Sequence, residues 1–532
     1  MKVLISDSMS SKAAEIFQAR GIEVHVAPKL SVQELRELIP QFDGLAVRSA
    51  TKADAELLAC ANNLKVIGRA GIGVDNIDVA QATSQGIVVM NTPYGNAVTT
   101  AEHAIAMMFA IARQIPAASQ STKESLWEKS RFMGVELTSK TLGIIGCGNI
   151  GSIVAQRALG LGMKVVSFDP FLTLERAAKM GIKKVELAGL LEQSDFVTLH
   201  IPKTAQTENI INADAIGRMK KGAYLINCAR GGLVDELALA AALTSGHLAG
   251  AALDVFDQEP ARDNILFSLD NVVCTPHLGA ATLEAQEKVA VQIAEQMSDY
   301  LLDGAITNAL NAPSLTAQQA RLLQPYLVLS RKLGSLVGQL SMEEILEIEI
   351  CFAGQAAQLE QDPLIQTAVM YALKPQLHSI NMVNALSIAK ERGIAIKISK
   401  REQENEDYLT TIAITITTKT KTRTAKGTLM NSKQPRLIEI KGIALESELT
   451  NHMLYVTNQD QPGFIGALGQ ALSQQGINIA SFHLGRLKAG GDAVSLIEID
   501  SEISQEALSY LRSLPLLDQV TYLRFDEQDV NR

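Results

Sequence analysis

An apolar run that breaks into three closely spaced glycines constrains the fold of this chain more than any other feature. Residues 143–151 read GIIGCGNIG, and the next apolar segment ends at Asp169 in MKVVSFDP. Gly146, Gly148 and Gly151 stand as GxGxxG between a strand-like run and the helix-like SIVAQRALGLG. In that setting the first glycine permits a tight turn, the second lets a pyrophosphate reach the backbone, and the third lets helix and strand approach closely. The helix N-terminus then offers unpaired N–H groups to phosphate oxygens. Asp169 comes 18 residues after Gly151 at the end of the following strand. A carboxylate there accepts hydrogen bonds from an adenosine ribose and repels a 2′-phosphate. The next residues, PFLTLE, bring no immediate Arg or Lys. The pattern predicts a βαβ unit that binds NAD rather than NADP.

Around this loop the first 300 or so residues alternate short β-branched runs (VLIS, IEVHVA, GLAVRS, LKVIGRA, GIVVMN) with helical stretches, and a second series starts at TLGIIG. Two such series predict two parallel α/β domains with a cleft between them. NAPSL at 311–315 reads as a linker. Beyond it, ILEIEICF, YLTTIAITITT and RLIEIKG alternate as half-buried strands of an α+β domain. From His452 the order is strand, helix, strand, strand, helix, strand, a βαββαβ ferredoxin-like unit. The expected division is 1–97 with 283–310, then 98–282, 314–450 and 452–526. At 532 residues and about 150 residues per domain, the length accommodates this.

Composition narrows the function classes. A formal net charge of −9 argues against a nucleic-acid binder, whose affinity comes largely from a basic surface. The longest apolar run, AIAMMFAIA, is too short for a membrane span. The opening MKVLISDSMSSK is too short in its apolar run for a signal peptide. Five scattered cysteines with no CxxC fit a reducing cytoplasm. No His/Cys/Asp cluster at ligand spacing appears, so no metal is expected.

Three stretches fall at predicted strand ends of the second series, where ligands of open α/β sheets sit. These are NCARGG with Arg230, DVFDQEP with Asp254 and Glu259, and TPHLGAAT with His277. His277 is the leading proton-transfer candidate, His200 in DFVTLHIP is its rival, and His103 in AEHAIAMM reads as structural. AGIGVDN at 70–76 lacks a third glycine. In a dinucleotide loop Asp75 would sit near the phosphates, so the stretch reads instead as a strand-end turn whose N–H groups suit a small anion such as a carboxylate. In the terminal unit, DQPG leads into a helix start suited to a carboxylate, with Asp460 placed for an ammonium and Asn478 in the GINIAS stretch as an amide partner. Such a site would lie between paired copies of the unit.

The spacing of GCGNIG, CARGG, DVFDQEP and TPHLG, with AGIGVDN ahead of them, resembles the D-isomer-specific 2-hydroxyacid dehydrogenase family over roughly residues 1–310. The resemblance implies two Rossmann-like or flavodoxin-like domains and an NAD-dependent oxidation. It makes His277 the acid/base, Glu259 its hydrogen-bonded partner and Arg230 the clamp on the substrate carboxylate. Asn149 and Ile150 would cover the pyrophosphate and Asp169 the ribose. Ile201, Cys228 and Ala229 would line the cofactor groove, Asp254 would meet the nicotinamide carboxamide, and Ile72, Leu278, Gly279 and Ala280 complete the cofactor set. INMVNALSIAKERGI, NQDQPGFIGALG and GINIASFHLGR resemble the family's long members, which carry an intervening domain and an ACT domain. Those members open serine biosynthesis by oxidising 3-phospho-D-glycerate. For a phosphorylated 2-hydroxy acid the resemblance adds Arg48 and Arg69 to Arg230 and His277, and Lys129 and Arg131 are further candidates across a dimer interface. It implies L-serine as effector at Asp460, Asn478 and Asn458, where some relatives carry a tyrosine, and a homo-oligomer, dimer or tetramer. The alternatives are a reductase of hydroxypyruvate, glyoxylate or another 2-oxo acid, and a non-catalytic dinucleotide-sensing corepressor.

Overall fold

A computed structural model describes residues 1–377, 380–402 and 408–525. The expected end of the last domain, residue 526, lies outside the described residues. Four sheets follow one another along the chain. The first holds Lys2–Ile5, Glu23–Val26, Gly44–Val47, Val66–Arg69 and Val88–Asn91, all parallel, in the spatial order 2-1-3-4-5. Its central strands, Lys2–Ile5, Gly44–Val47 and Val66–Arg69, are buried over nearly their whole length, which explains their unbroken apolar runs.

The second sheet has seven parallel strands from Thr141–Ile145 to Val272–Cys274, ordered 3-2-1-4-5-6-7. Its order reverses between Thr141–Ile145 and Phe196–Leu199, the topological switch point where a nucleotide-binding crevice forms. AIAMMFAIA belongs to the helix Ala97–Ala112, which buries Ala101, Ala104, Met107, Met108 and Ile111 in the core of this second sheet. Its apolar character is that of a core helix. Thr282 caps the helix Leu283–Asp303 by accepting from the Ala285 N–H. That helix carries the chain back to the first sheet, where Val289, Ile293 and Met297 join its core. The linker is tied down: Asn311 Oδ1 accepts from the Val89 N–H at 2.9 Å, and Ile306 bridges Leu315.

In the third sheet, six strands are ordered Ala395–Arg401, Ile345–Gly354, Thr410–Thr418, Thr422–Met430, Gln434–Ile440 and Ile443–Ser447. The first pair is parallel and the rest antiparallel. Asn381 and Asn384, in the INMVNAL stretch, donate their side-chain amides to Ser84 O at 3.3 and 3.0 Å. The third sheet's domain is thereby anchored to the C-terminus of the helix Val79–Ser84 of the first. The fourth sheet is antiparallel, ordered Ile479–Arg486, Asp492–Ile499, His452–Gln459, Gln519–Arg524. The helices Phe464–Gln474 and Gln505–Arg512 share one of its cores. Met453, Tyr455, Val494 and Leu496 belong to another cluster with Ile440 and Ile443, which joins the last two sheets. Among the described residues no helix is long and apolar enough to cross a membrane.

Candidate active site

A cleft of about 1430 Å³ is lined by residues at the strand ends of the first two sheets. On the nucleotide side, Gly146 turns the chain with φ +92°. A Cβ on Gly151 would stand 2.0 Å from Gly146 O, so that backbone approach requires glycine. Over Gly148 a Cβ would meet nothing within 4 Å, which leaves open the space a pyrophosphate needs. Asp169 accepts from the Cys147 and Phe171 N–H groups, both at 2.7 Å, and so stands at the mouth of the loop. Asn149, Ile150, Ile201, Cys228 and Ala229 line the same cleft. Burial pushes the Cys228 thiol far up, leaving it as an inert wall. These features suit a dinucleotide: an open phosphate seat at a helix start, a ribose carboxylate and an apolar groove.

Across the cleft, His277 (φ +56°) directs Nδ1 to Glu259 Oε2 at 2.6 Å. That hydrogen bond raises the imidazole pKa above its ordinary value, against the opposing effects of burial and of Arg230. Burial pushes the Glu259 carboxyl up, but the hydrogen bonds from His277 and the Phe256 N–H outweigh it and leave it low. The pair is a carboxylate-oriented histidine whose Nε2 remains for the cleft.

His200 does not fit the rival role. Burial pulls its pKa down to about 4, and Nε2 is engaged with Thr198 Oγ1 at 3.0 Å. Its ring is therefore neutral and already hydrogen-bonded at neutral pH.

Asp254, which the resemblance sets at the nicotinamide carboxamide, also holds the backbone beside His277. Its side chain is fully buried and accepts from Thr275 Oγ1 (2.5 Å), the Leu278 N–H (2.7 Å) and the Gly279 N–H (2.8 Å). His103 Nε2 lies 3.2 Å from the same carboxylate. Burial favours the neutral acid, but these hydrogen bonds prevail and hold its pKa low. Asp254 therefore shapes the 275–279 loop that presents His277, and His103 serves Asp254. Leu278 is partly exposed, and Gly279, Ala280 and Ile72 line the cleft.

Arg230 reaches from the second sheet to Asp75 of the first, with Nε 3.0 Å from Oδ2. Asp75 is thus the partner of this arginine. Buried Asn227 holds the CARGG turn, donating to Arg230 O and accepting from the Ala229 N–H. Arg48 and Arg69 line the same end of the cleft. Burial and the charges of Arg230 and Arg48 press the Arg69 guanidinium down to about 10, against the pull of Asp75. Three converging cations make this end a seat for a multiply charged anion. Lys129 and Arg131 are not part of the cleft lining, and Arg131 pairs with Glu128 at 3.0 Å. Asn76, Asn227 and His103 hold this machinery in place. Asn76, in GVDN, carried no spacing signal, and His103, in AEHAIAMM, was marked only by its place in a helical stretch.

The structure does not bring the three effector candidates together within one chain. Asp460 is held by Arg486 Nη1 (2.5 Å) and the Gly490 N–H (3.0 Å), beside Asp492. Asn478 donates to Asp500 Oδ2 at 2.7 Å. Because Ile479–Arg486 runs antiparallel to Asp492–Ile499, residues 478 and 492 stand at opposite ends of the sheet. Asn458 is buried and donates to Gln459 O.

Residues 105–279 match the NAD-binding domain of the D-isomer specific 2-hydroxyacid dehydrogenases. Residues 322–441 match the D-3-phosphoglycerate dehydrogenase intervening domain, and 452–515 the ACT domain. The chain is 42% identical over 510 residues to D-3-phosphoglycerate dehydrogenase of Synechocystis sp., covering 96% of this chain and 92% of that one. Its identity to the Bacillus subtilis enzyme of the same name is 40%, over 97% and 98% of the two chains. Among solved structures, D-lactate dehydrogenase of Aquifex aeolicus complexed with NAD and lactic acid superposes with a TM-score of 0.52 at 28% identity. That match covers 59% of this chain and 100% of the other.

Proposed function

The chain belongs to the D-isomer-specific 2-hydroxyacid dehydrogenase family, within it to the D-3-phosphoglycerate dehydrogenases, and from that premise we propose how its cleft works. It is an NAD-dependent enzyme that oxidises 3-phospho-D-glycerate to 3-phosphohydroxypyruvate, the first step of L-serine biosynthesis. Gly148 and Asp169 would hold the pyrophosphate and ribose of NAD, which would supply the hydride acceptor. His277 takes the hydroxyl proton at Nε2 while Glu259 stabilises the resulting imidazolium. Arg230 holds the carboxylate, and Arg48 with Arg69 holds the phosphate.

The observation that carries this reading is the pairing of His277–Glu259 with three arginines in one cleft. A corepressor needs the cofactor loop without this constellation.

We also infer a homo-oligomer in the cytoplasm. Trp127 and Met133 are 86% and 78% exposed in one short segment, an apolar surface that a second copy would cover. L-serine is the proposed effector. With Asp460 and Asn478 at opposite sheet ends, the site needs residues from two ACT units.

The test is a side-by-side measurement of NADH oxidation with phosphohydroxypyruvate, hydroxypyruvate, glyoxylate and 2-oxoglutarate. Phosphohydroxypyruvate should lead in kcat/KM by about tenfold or more, the worth of one added ionic contact. In His277→Ala, kcat should fall by about a hundredfold or more with NADH affinity retained. An unphosphorylated acid as the best substrate would overturn the assignment.

A further inference from the structure

Arg48 and Arg69 come from different strands, and a single amide joins them. Asn76 Oδ1 accepts from Arg69 Nε at 3.2 Å. Its Nδ2 donates to Arg48 O at 2.8 Å and to Thr51 O at 2.6 Å. The backbone strengthens the tie, since the Ala53 N–H donates to Asn76 O at 2.8 Å and the Asp78 N–H to Ala53 O at 2.9 Å. The other side of the Arg48 loop is held by Asp7, which is only 5% exposed. Its carboxylate accepts from the Arg48, Ala50 and Thr51 N–H groups and from Thr51 Oγ1. The loop thus has one fixed end at Asp7 and one at Asn76.

Only an amide satisfies all three contacts at Asn76. An aspartate in its place would set a carboxylate against two carbonyl oxygens, and an aliphatic residue would leave those carbonyls and Arg69 Nε–H unpaired. The electrostatics explain why a tie is needed. Arg69 lies between the repelling charges of Arg230 and Arg48 and the attracting carboxylates of Asp75 and Asp7, and the acceptor at Nε fixes where its guanidinium points among them.

We propose that Asn76 is a positioning residue that sets Arg48 and Arg69 as one dianion clamp, and that this register determines preference for a phosphorylated over an unphosphorylated 2-hydroxy acid. The inference rests on the phosphate role given above to the two arginines.

The experiment measures kcat and KM for phosphohydroxypyruvate and hydroxypyruvate in wild type, Asn76→Ala, Arg69→Ala, Arg69→Lys and the double variant Asn76→Ala/Arg69→Lys, using the full-length enzyme. In Asn76→Ala the ratio of kcat/KM values, phosphorylated over unphosphorylated, should fall about tenfold, the effect of one hydrogen bond to a charged group. The loss should sit in KM for the phosphorylated substrate. Arg69→Lys keeps the charge and lacks Nε–H, so it tests the same contact if Asn76→Ala does not fold. It should lower the ratio likewise, and adding Asn76→Ala to it should cost less than Asn76→Ala costs wild type, the remainder being the tie to the Arg48 loop.

If Asn76→Ala and Arg69→Lys lower both substrates equally, Asn76 is a scaffold residue and the proposal falls. If Arg69→Ala removes the preference while Asn76→Ala and Arg69→Lys keep it, the clamp stands and only the role of Asn76 falls. If wild type shows no preference, the phosphate role of the arginines fails and this proposal with it.

Discussion

Substituting Gly73 by alanine tests the placement of Arg230 without touching a charged residue. A Cβ on Gly73 would stand 1.7 Å from Nη2 of Arg230, 2.8 Å from its Cζ and 2.8 Å from Oδ2 of Asp75. Non-bonded heavy atoms settle at about 3.5–4.0 Å, so Nη2 has to retreat by roughly 2 Å. The obstructing atoms are the ends of two side chains, and the Gly73 φ is outside the left-handed region. The backbone therefore accommodates the methyl group, and the guanidinium gives way. A displacement of about 1 Å at a positioned group is enough to cost about 10²-fold in rate. We expect kcat/KM for phosphohydroxypyruvate reduction to fall by about two orders of magnitude, roughly 2.7 kcal/mol of transition-state stabilisation. The assay is steady-state loss of NADH absorbance, accompanied by NADH fluorescence titration and a thermal melt. NADH affinity and Tm should stay near wild type, since the 146–151 loop is untouched. Arg230→Lys in the Gly73→Ala background should cost little more than Gly73→Ala alone, because both changes remove one interaction. Turnover within about threefold of wild type would refute the clamp geometry.

Other changes probe the remaining contacts. In Glu259→Gln the hydrogen bond that raises the His277 pKa is weakened, while burial and Arg230 still lower it. Because oxidation needs the neutral ring, the acid limb of its kcat/KM profile should move to lower pH, and the basic limb of reduction with it; unmoved limbs would mean that another group titrates. Asp169→Ala should raise kcat/KM with NADPH and lower it with NADH, since it removes both the repulsion of a 2′-phosphate and the acceptor for the ribose. An unchanged ratio between the cofactors would remove Asp169 from cofactor selection. Calorimetry should show L-serine binding to wild type and none to Asn478→Ala or Asp460→Ala. Because those residues lie at opposite sheet ends, mixing the two variants should restore some sites in hybrid oligomers. A wild type that binds no serine at about millimolar concentration, the scale of a Kd worth only about 4 kcal/mol, would leave the ACT unit structural.

What was legible in the sequence was what depends on local geometry. A GxGxxG turn, its following acid and the strand-end positions of Arg230 and His277 each need particular residue types at short spacing, so the pattern carries the structure. The carboxylates were uneven: Glu259 beside His277 follows the family motif, while Asp75 facing Arg230 does not announce itself. Asp75, Asp254 and Glu259 all lie near strand ends, but their chemistry is separated by burial and by the N–H groups that fold around each one. Asp254 receives the 275–279 loop, Asp75 meets an arginine from the other sheet, and Glu259 meets the histidine. The same limit hid the distance between Asp460 and Asn478, because only the antiparallel pairing sets them apart. Asn76 is the extreme case. Its importance lies in an acceptor and two donors aimed at Arg69 and at the loop of Arg48 and Thr51, which no spacing rule reports. Sequence motifs therefore mark the groups that meet ligands, while the groups that aim them emerge only when the hydrogen bonds of distant segments are counted together.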